Sequence, residues 1–224
     1  MAMSAQSSRS IETRRTTRHA LRPDSTSWPY RVKPRASEEG LMRWQEFELE
    51  QSALAELGRR RLGDPGVVLV GTIRRDGSTR ISPVEPLFWH EDLWLSMGWG
   101  SRKAADLQRD ARVLVHSIVT SREGTAGEYK VRGRAIAETD RAVQHGYARA
   151  IHAEAGWEPE PGRFHLFGVD VDDVTFIRWD PATNDQFVTR WPRRREFVRR
   201  GTSATSVGDP EPFSELLAEG SATE

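Results

Sequence analysis

The chain changes from an apolar, strand-like run to a short helical pattern at Ser101. Serine is a favoured N-cap residue, and Arg102 and Lys103 follow it directly. Because the first amides of a helix have no internal partner and carry the positive end of its dipole, this junction favours an anion. The guanidinium fork and the ammonium add donors that suit a phosphomonoester. The alternative interpretation is a solvated helix start that carries two surface cations.

A tight hairpin is predicted upstream of this junction. Asp76-Gly77 lies between two β-rich runs, and the glycine tolerates the positive φ that a tight turn needs. Further strand-like runs cover residues 113–119, 128–137 and two halves of 164–179, whereas helical patterns cover 38–62 and 140–155. Strands outnumber helices. The sequence therefore predicts a mainly β fold, a barrel of six or more antiparallel strands with a few peripheral helices.

The domain organisation follows from uneven composition. Residues 38–200 are predicted to form one domain, opened by a helix that buries Trp44, Phe47 and Leu54. Residues 1–37 are rich in Ser, Thr, Arg and Pro and are predicted to be a disordered arm, and residues 201–224 a flexible tail. The arm also has the character of a transit peptide or a nucleic-acid arm, and translation starting at Met42 is a further possibility.

The composition excludes several classes of function. Lys+Arg and Asp+Glu both number 33, so the net charge gives no reason to expect nucleic acid or an anionic membrane as a partner. The absence of cysteine excludes disulfides, thiolate catalysis and cysteine metal sites. No metal site is expected, because His145 and His152 share a helix face without a third ligand. With no apolar run of membrane-spanning length, a cytoplasmic protein is expected.

The order of the motifs resembles the pyridoxamine 5′-phosphate oxidase-like superfamily. The shared elements are a strand, the Asp-Gly turn, the strand Arg80-Ile-Ser-Pro-Val84, a further strand and the Ser-Arg-Lys helix. Residues 107–113 resemble that family's L-x-x-D-P-R-V run, with Ala111 where proline is usual. The resemblance covers about residues 41–190. It implies an FMN-binding split β-barrel, a homodimer with the flavin at the subunit interface, and hydride transfer to or from a small molecule.

The resemblance also implies which residues bind the cofactor. By this resemblance, Arg80 and the clamp formed by Ser101, Arg102 and Lys103 bind the flavin phosphate. The residues implied to lie beside the isoalloxazine ring are Ile81, Ser82, Pro83, Val84, Met97 and Gly98. Glu128 falls where a polar contact reaches the flavin from the second subunit. No catalytic acid or base is indicated.

One departure from the family changes the expected substrate. Glu85 occupies the place where true pyridoxamine phosphate oxidases carry a lysine for the substrate phosphate, and a carboxylate repels a phosphate. We therefore expect a relative with another substrate. The alternatives are the same fold using a deazaflavin coenzyme, or a non-catalytic flavin- or haem-binding protein. Trp89, Trp94 and Trp99 exceed what one small barrel core needs, which favours a dimer.

Overall fold

The computed structural model describes residues 42–160 and 162–217, so the predicted disordered arm 1–37 lies outside the described residues. The helices in this part of the chain are α1 (Trp44–Glu50), α2 (Ser52–Gly63), α3 (Arg102–Arg109) and α4 (Arg141–Ala155). The strands are β1 (Val68–Ile73), β2 (Thr79–Val84), β3 (Pro86–Trp89), β4 (Asp92–Gly98), β5 (Arg112–Ser117), β6 (Glu128–Glu138), β7 (Phe164–Trp179), β8 (Gln186–Trp191), β9 (Arg195–Ser203) and β10 (Ser206–Pro212).

The strands form one antiparallel sheet that folds as a split β-barrel, which confirms the predicted mainly β fold. The sheet order is β10-β9-β8-β7-β6-β5-β1-β2, and β4 pairs with both β3 and β7. β2 ends this order and pairs with β1 alone among the described strands, so one of its backbone edges lies open. The hairpin predicted at Asp76-Gly77 joins β1 to β2, with Gly77 at φ 82°.

β7 is a single strand of 16 residues, where the sequence predicts two halves. Its pairing with β6 shifts register between Arg132 and Gly133. At Gly133 a Cβ would stand 1.8 Å from the carbonyl oxygen of Asp170, so only glycine allows the strands to approach this closely. The register shift accommodates one extra residue of β7 at this point, so β7 continues as a single strand.

The helix predicted over residues 38–62 is present from Trp44, but it is divided in two. Gln51 leaves the helical conformation, with φ −141° and ψ 64°, and separates α1 from α2. Trp44, Phe47 and Leu54 are fully buried, as predicted. The Phe47 ring packs 4.9 Å from the ring of Trp191, which ties α1 to β8. No helix in the described part is long and apolar enough to cross a bilayer.

The flexible tail predicted from residue 201 is wrong over its first half, because β9 continues to Ser203 and β10 follows it. The carboxylate of Asp185 accepts hydrogen bonds from the Gly201 amide at 2.9 Å and from Arg200 at 2.7 Å. The carboxylate of Glu196 accepts from the amides of residues 215–217 at 2.9–3.2 Å. Hydrogen bonds to polar side chains hold this backbone in place. A prediction based on apolar content therefore misses the ordered strands of this segment.

Candidate functional site

The junction between β4 and α3 has the strand end and the serine-capped helix start that the sequence predicts. The Ser101 hydroxyl accepts a hydrogen bond from the Ala104 amide at 3.4 Å and caps the helix. Gly100, at φ 69°, makes the turn between strand and helix. Arg102 and Lys103 follow on the first turn of the helix, but their side chains line two different cavities.

The first cavity, called here the arginine cavity, has a volume of about 540 Å³. Its lining residues are Arg74, Arg75, Asp76, Arg80, Arg102, Ala105 and Asp106. It brings together two of the predicted phosphate ligands, Arg80 from β2 and Arg102 from α3. Arginine fork donors around one cavity favour an anion with several oxygen atoms.

Asp106 holds Arg80 at the wall of the arginine cavity. The Arg80 Nε donates to Asp106 Oδ2 at 2.6 Å, and the Thr72 hydroxyl donates to the same oxygen at 3.1 Å. Burial on its own raises the pKa of Asp106, but the hydrogen bonds from Arg80 and Thr72 outweigh it and hold that pKa below its ordinary value. Asp106 is therefore an ionised partner that orients the guanidinium.

The second cavity, called here the β2 cavity, has a volume of about 520 Å³. The residues that line it are Val67, Pro83, Val84, Glu85, Ser96, Met97, Gly98, Lys103, Trp157, Pro159, Glu160, Arg163 and Phe164. Four residues predicted to lie beside a flavin ring are thus on one wall: Pro83, Val84, Met97 and Gly98. Lys103 donates from Nζ to the Pro83 carbonyl at 3.2 Å.

Gly98 leaves room in the β2 cavity. A Cβ placed there would meet no other atom within 4 Å, so the structure does not need glycine for packing within the chain. The neighbouring Met97 is only 2% exposed and belongs to the hydrophobic core. Along β4, a buried apolar side chain is thus followed by an open position.

The remaining predicted ring residues are divided by the alternation of β2. Ser82 and Val84 pair with Val70 and Val68 and face inward. Ile81 faces outward, is 69% exposed and lines neither cavity. Ser82 also lines neither cavity, so the places predicted for Ile81 and Ser82 beside the ring stay predictions.

Glu128, the predicted contact from a second subunit, lines neither of the two cavities. It begins β6, where its carboxylate accepts from Lys130 Nζ at 2.9 Å and lies 3.3 Å from His116 Nε2. Its predicted role requires a second chain and stays a prediction.

Sequence reasoning missed Asp106, Thr72, Trp157 and Tyr147. An acidic residue on the buried face of α3, next to Leu107, was the available signal for Asp106. Of the three tryptophans counted beyond the needs of one barrel core, Trp94 is buried within the single chain: it is 3% exposed and donates from Nε1 to the Trp89 carbonyl at 2.9 Å. Trp99 remains 61% exposed.

The family model described as "Pyridoxamine 5′-phosphate oxidase" matches residues 54–178, more than half of the chain. The chain belongs to the pyridoxamine 5′-phosphate oxidase family. The matched segment contains every residue that lines the arginine cavity and the β2 cavity, whereas β8, β9 and β10 lie beyond it. Both cavities are therefore part of the family's shared domain.

Solved structures of similar fold share little sequence with this family member. A protein related to general stress protein 26 from Clostridium acetobutylicum is 13% identical, covering 64% of this chain and 98% of that one with a TM-score of 0.49. General stress protein 26 from Bacillus anthracis is 17% identical, covering 58% and 93% with a TM-score of 0.44. A heme binding protein from Mycobacterium smegmatis is 18% identical, covering 54% and 52% with a TM-score of 0.43. No curated protein sequence matches the chain.

Proposed function

We propose that this family member is an FMN-dependent oxidoreductase that binds its cofactor at a homodimer interface and transfers hydride to or from a small molecule. One observation carries the proposal: the arginine cavity and the β2 cavity lie along the same strand and the same helix. Arg80 and Val84 of β2 line one cavity each, and so do Arg102 and Lys103 of α3. An anion site beside an apolar site matches a ring that carries a phosphate.

The arginine cavity fits the phosphate of FMN. Arg80 and Arg102 approach it from different elements, and Asp106 fixes the first of them through Nε. Hydrogen bonds to charged groups contribute roughly 1.5–3 kcal/mol each, so two arginines provide substantial affinity for a phosphate. The N-terminus of α3 adds the positive end of its dipole.

The β2 cavity fits the isoalloxazine ring. Pro83, Val84 and Met97 offer an apolar wall, and Gly98 leaves the adjoining space open. β2 has no second strand neighbour in the described part of the chain, so backbone groups of this edge other than the Pro83 carbonyl, which accepts from Lys103, would face the polar rim of the ring. When bound, FMN supplies the hydride chemistry, and the protein binds and orients it and excludes water.

The outward face of the sheet supports a homodimer. Ile81, 69% exposed, and Leu114, 39% exposed, flank Gly71 in one row across β2, β1 and β5. Glu128 joins the same face through its contact with His116 on β5. In a twofold dimer, the same surface of each subunit contacts the equivalent surface of the other. A dimer that buries this apolar row would therefore place the partner's Glu128 near β2.

The phosphate assignment is tested by titrating the protein with FMN and with riboflavin, which lacks the phosphate. We expect replacement of Arg102 and Lys103 together by alanine to weaken FMN binding by roughly 10²- to 10⁴-fold, in line with the energy of two hydrogen bonds to charged groups. Riboflavin should bind the variant and the original protein almost equally. An equal loss for both ligands would show that these residues do not hold the phosphate.

A further inference from the structure

Part of the β2 cavity has no role in the proposed binding of FMN. Glu85, which directly follows β2, lies on its wall together with Ser96 of β4 and Trp157, which follows α4. Arg163 and Glu160 stand at the rim, where their side chains are 67% and 75% exposed. A small molecule beside the ring would contact this set of residues.

The charges that line this part of the cavity are not all paired. Arg163 lies 3.7 Å from Glu160, so these two charges compensate each other. Lys103 donates to the Pro83 carbonyl and belongs to the clamp that the resemblance implies for the cofactor phosphate. Glu85 forms no ion pair with any residue between 42 and 160 or between 162 and 217. Among the carboxylates of the cavity wall, that of Glu85, an exposed residue, is therefore the one without an ion-pair partner in the described part of the chain.

The same part of the cavity has one buried donor on its wall. The indole Nε1 of Trp157 is buried and has no acceptor among the described residues. Tyr147, on α4, does not itself line the cavity, but its hydroxyl lies beside Ser96, which does. Burial, together with the charge of Glu85, raises the pKa of Tyr147 to about 12, so this phenol stays neutral at physiological pH. A buried N–H without an acceptor is costly, and a bound molecule could satisfy it.

We propose that the small molecule taken by the β2 cavity is an organic cation whose protonated amine pairs with Glu85 and whose hydrogen-bond acceptor meets the indole N–H of Trp157. The inference rests on the proposed function, because the opposite wall of the same cavity is given there to the flavin ring. A phosphate in this position would face the Glu85 carboxylate and be repelled. The charge of Glu85 thus selects the substrate class.

Three fragments of matched shape test this charge selection: benzylamine, benzyl alcohol and benzoate. Their binding to the full chain is measured by NMR from the shift of the Trp157 indole N–H, which Trp157→Phe identifies by its disappearance. We expect benzylamine, protonated at neutral pH, to bind about three- to tenfold more tightly than benzyl alcohol, as for a partly solvated ion pair. Benzoate should bind most weakly.

Glu85→Gln should remove the preference for benzylamine and leave benzyl alcohol unchanged. Glu154→Gln is the matched control, because Glu154 is an exposed glutamate of α4 that does not line the cavity. It should retain the preference. Binding of benzyl alcohol or benzoate as tight as that of benzylamine, no binding of benzylamine at millimolar concentration, or a preference that survives in Glu85→Gln would each overturn the proposal.

Running the titrations without FMN and with FMN added separates this inference from the proposed function. If FMN fails to bind while the protein without it still prefers benzylamine, the cofactor proposal fails and the role of Glu85 stands. If FMN binds while the three fragments bind alike in both states, the cofactor proposal stands and the charge selection fails.

Discussion

The carboxylate of Asp106 on α3 holds the guanidinium of Arg80 on β2 at 2.6 Å from Nε to Oδ2. The two residues are 26 positions apart in the chain. The Thr72 hydroxyl, on β1, donates a hydrogen bond to the same carboxylate. The Arg80 side chain makes no other hydrogen bond in the described part of the chain, so both Nη groups can bind an anion in the arginine cavity. Asp106 is thus a positioning residue for the phosphate site.

Replacing Asp106 by asparagine should reduce both stability and FMN binding. Asparagine keeps the shape but loses the charge, which leaves the half-buried Arg80 guanidinium without its anion. We expect the free energy of unfolding to fall by about 1–3 kcal/mol and FMN affinity to fall several-fold. Urea unfolding and FMN titration measure the two effects. Asp172→Asn, at an exposed position of β7, should change neither quantity.

The Asp106→Asn variant also tests how the free energy of unfolding depends on pH. The pKa of Asp106 lies below its ordinary value of 3.8, so its ionised form stabilises the folded state. That stabilisation is complete above the ordinary pKa and is lost as the pH falls through the lowered one. The difference in unfolding free energy between the original protein and Asp106→Asn should therefore stay constant above about pH 5 and shrink below about pH 4. A difference that grows on acidification would contradict this assignment.

Gly98→Val should block the cofactor without harming the fold. The added side chain meets no atom of the chain at its Cβ, and valine favours strands, so the melting temperature should not fall. The same side chain would occupy the space assigned to the isoalloxazine ring, and we expect FMN affinity to fall by at least tenfold, as for overpacking of a fitted site. Gly208→Ala, in β10, is the control. Unchanged FMN binding by Gly98→Val would place the ring elsewhere.

Charges on the outward face of the sheet should separate the dimer. Ile81→Arg with Leu114→Arg places two cations in the apolar row, and both positions are exposed in the single chain, so its fold should persist. Light scattering should then report a monomer with weakened FMN binding. Leu49→Arg, at a position that is 81% exposed on α1, should remain dimeric. A double variant that stays dimeric would show that the dimer interface lies on another face of the protein.

Removing α1 and α2 should abolish folding, whereas removing the residues before Met42 should not. Trp44, Phe47 and Leu54 are fully buried, and burial contributes roughly 1.5–3 kcal/mol for each large apolar side chain. Their combined loss is comparable with the whole stability of a typical domain. In thermal melts, the chain starting at Met42 should unfold cooperatively and the chain starting at Gly63 should show no transition. Cooperative melting of the shorter chain would exclude α1 and α2 from the core.

Local features of the fold were predictable from the sequence because they depend on neighbouring residues. The Asp76-Gly77 turn and the Ser101 cap are both set by a few consecutive positions. The pair of Arg80 and Asp106 joins two elements whose approach is decided by the whole sheet, so it could not be predicted from spacing. The resemblance also implies that Ile81 lies beside the ring; in the single chain its side chain faces outward and is 69% exposed, so that role stays a prediction.

The tail shows a different limit of sequence reasoning. Its order comes from the carboxylates of Asp185 and Glu196, which bind backbone amides 16 to 21 residues further along the chain. A prediction based on apolar periodicity does not detect hydrogen bonds of this range. Glu128 illustrates a further limit of sequence reasoning. A role that needs two chains cannot be recognised from the contacts within one chain.

Cofactor choice is the central claim, and a competition experiment tests it most directly. The purified protein is mixed with equimolar FMN, 8-hydroxy-5-deazaflavin coenzyme and haem, passed through a desalting column, and its visible spectrum is recorded. We expect FMN alone to be retained, at one molecule per chain, and to be lost from the variant in which Arg102 and Lys103 are alanine. Retention of the deazaflavin or of haem in place of FMN, or of no chromophore at all, would contradict the proposed function.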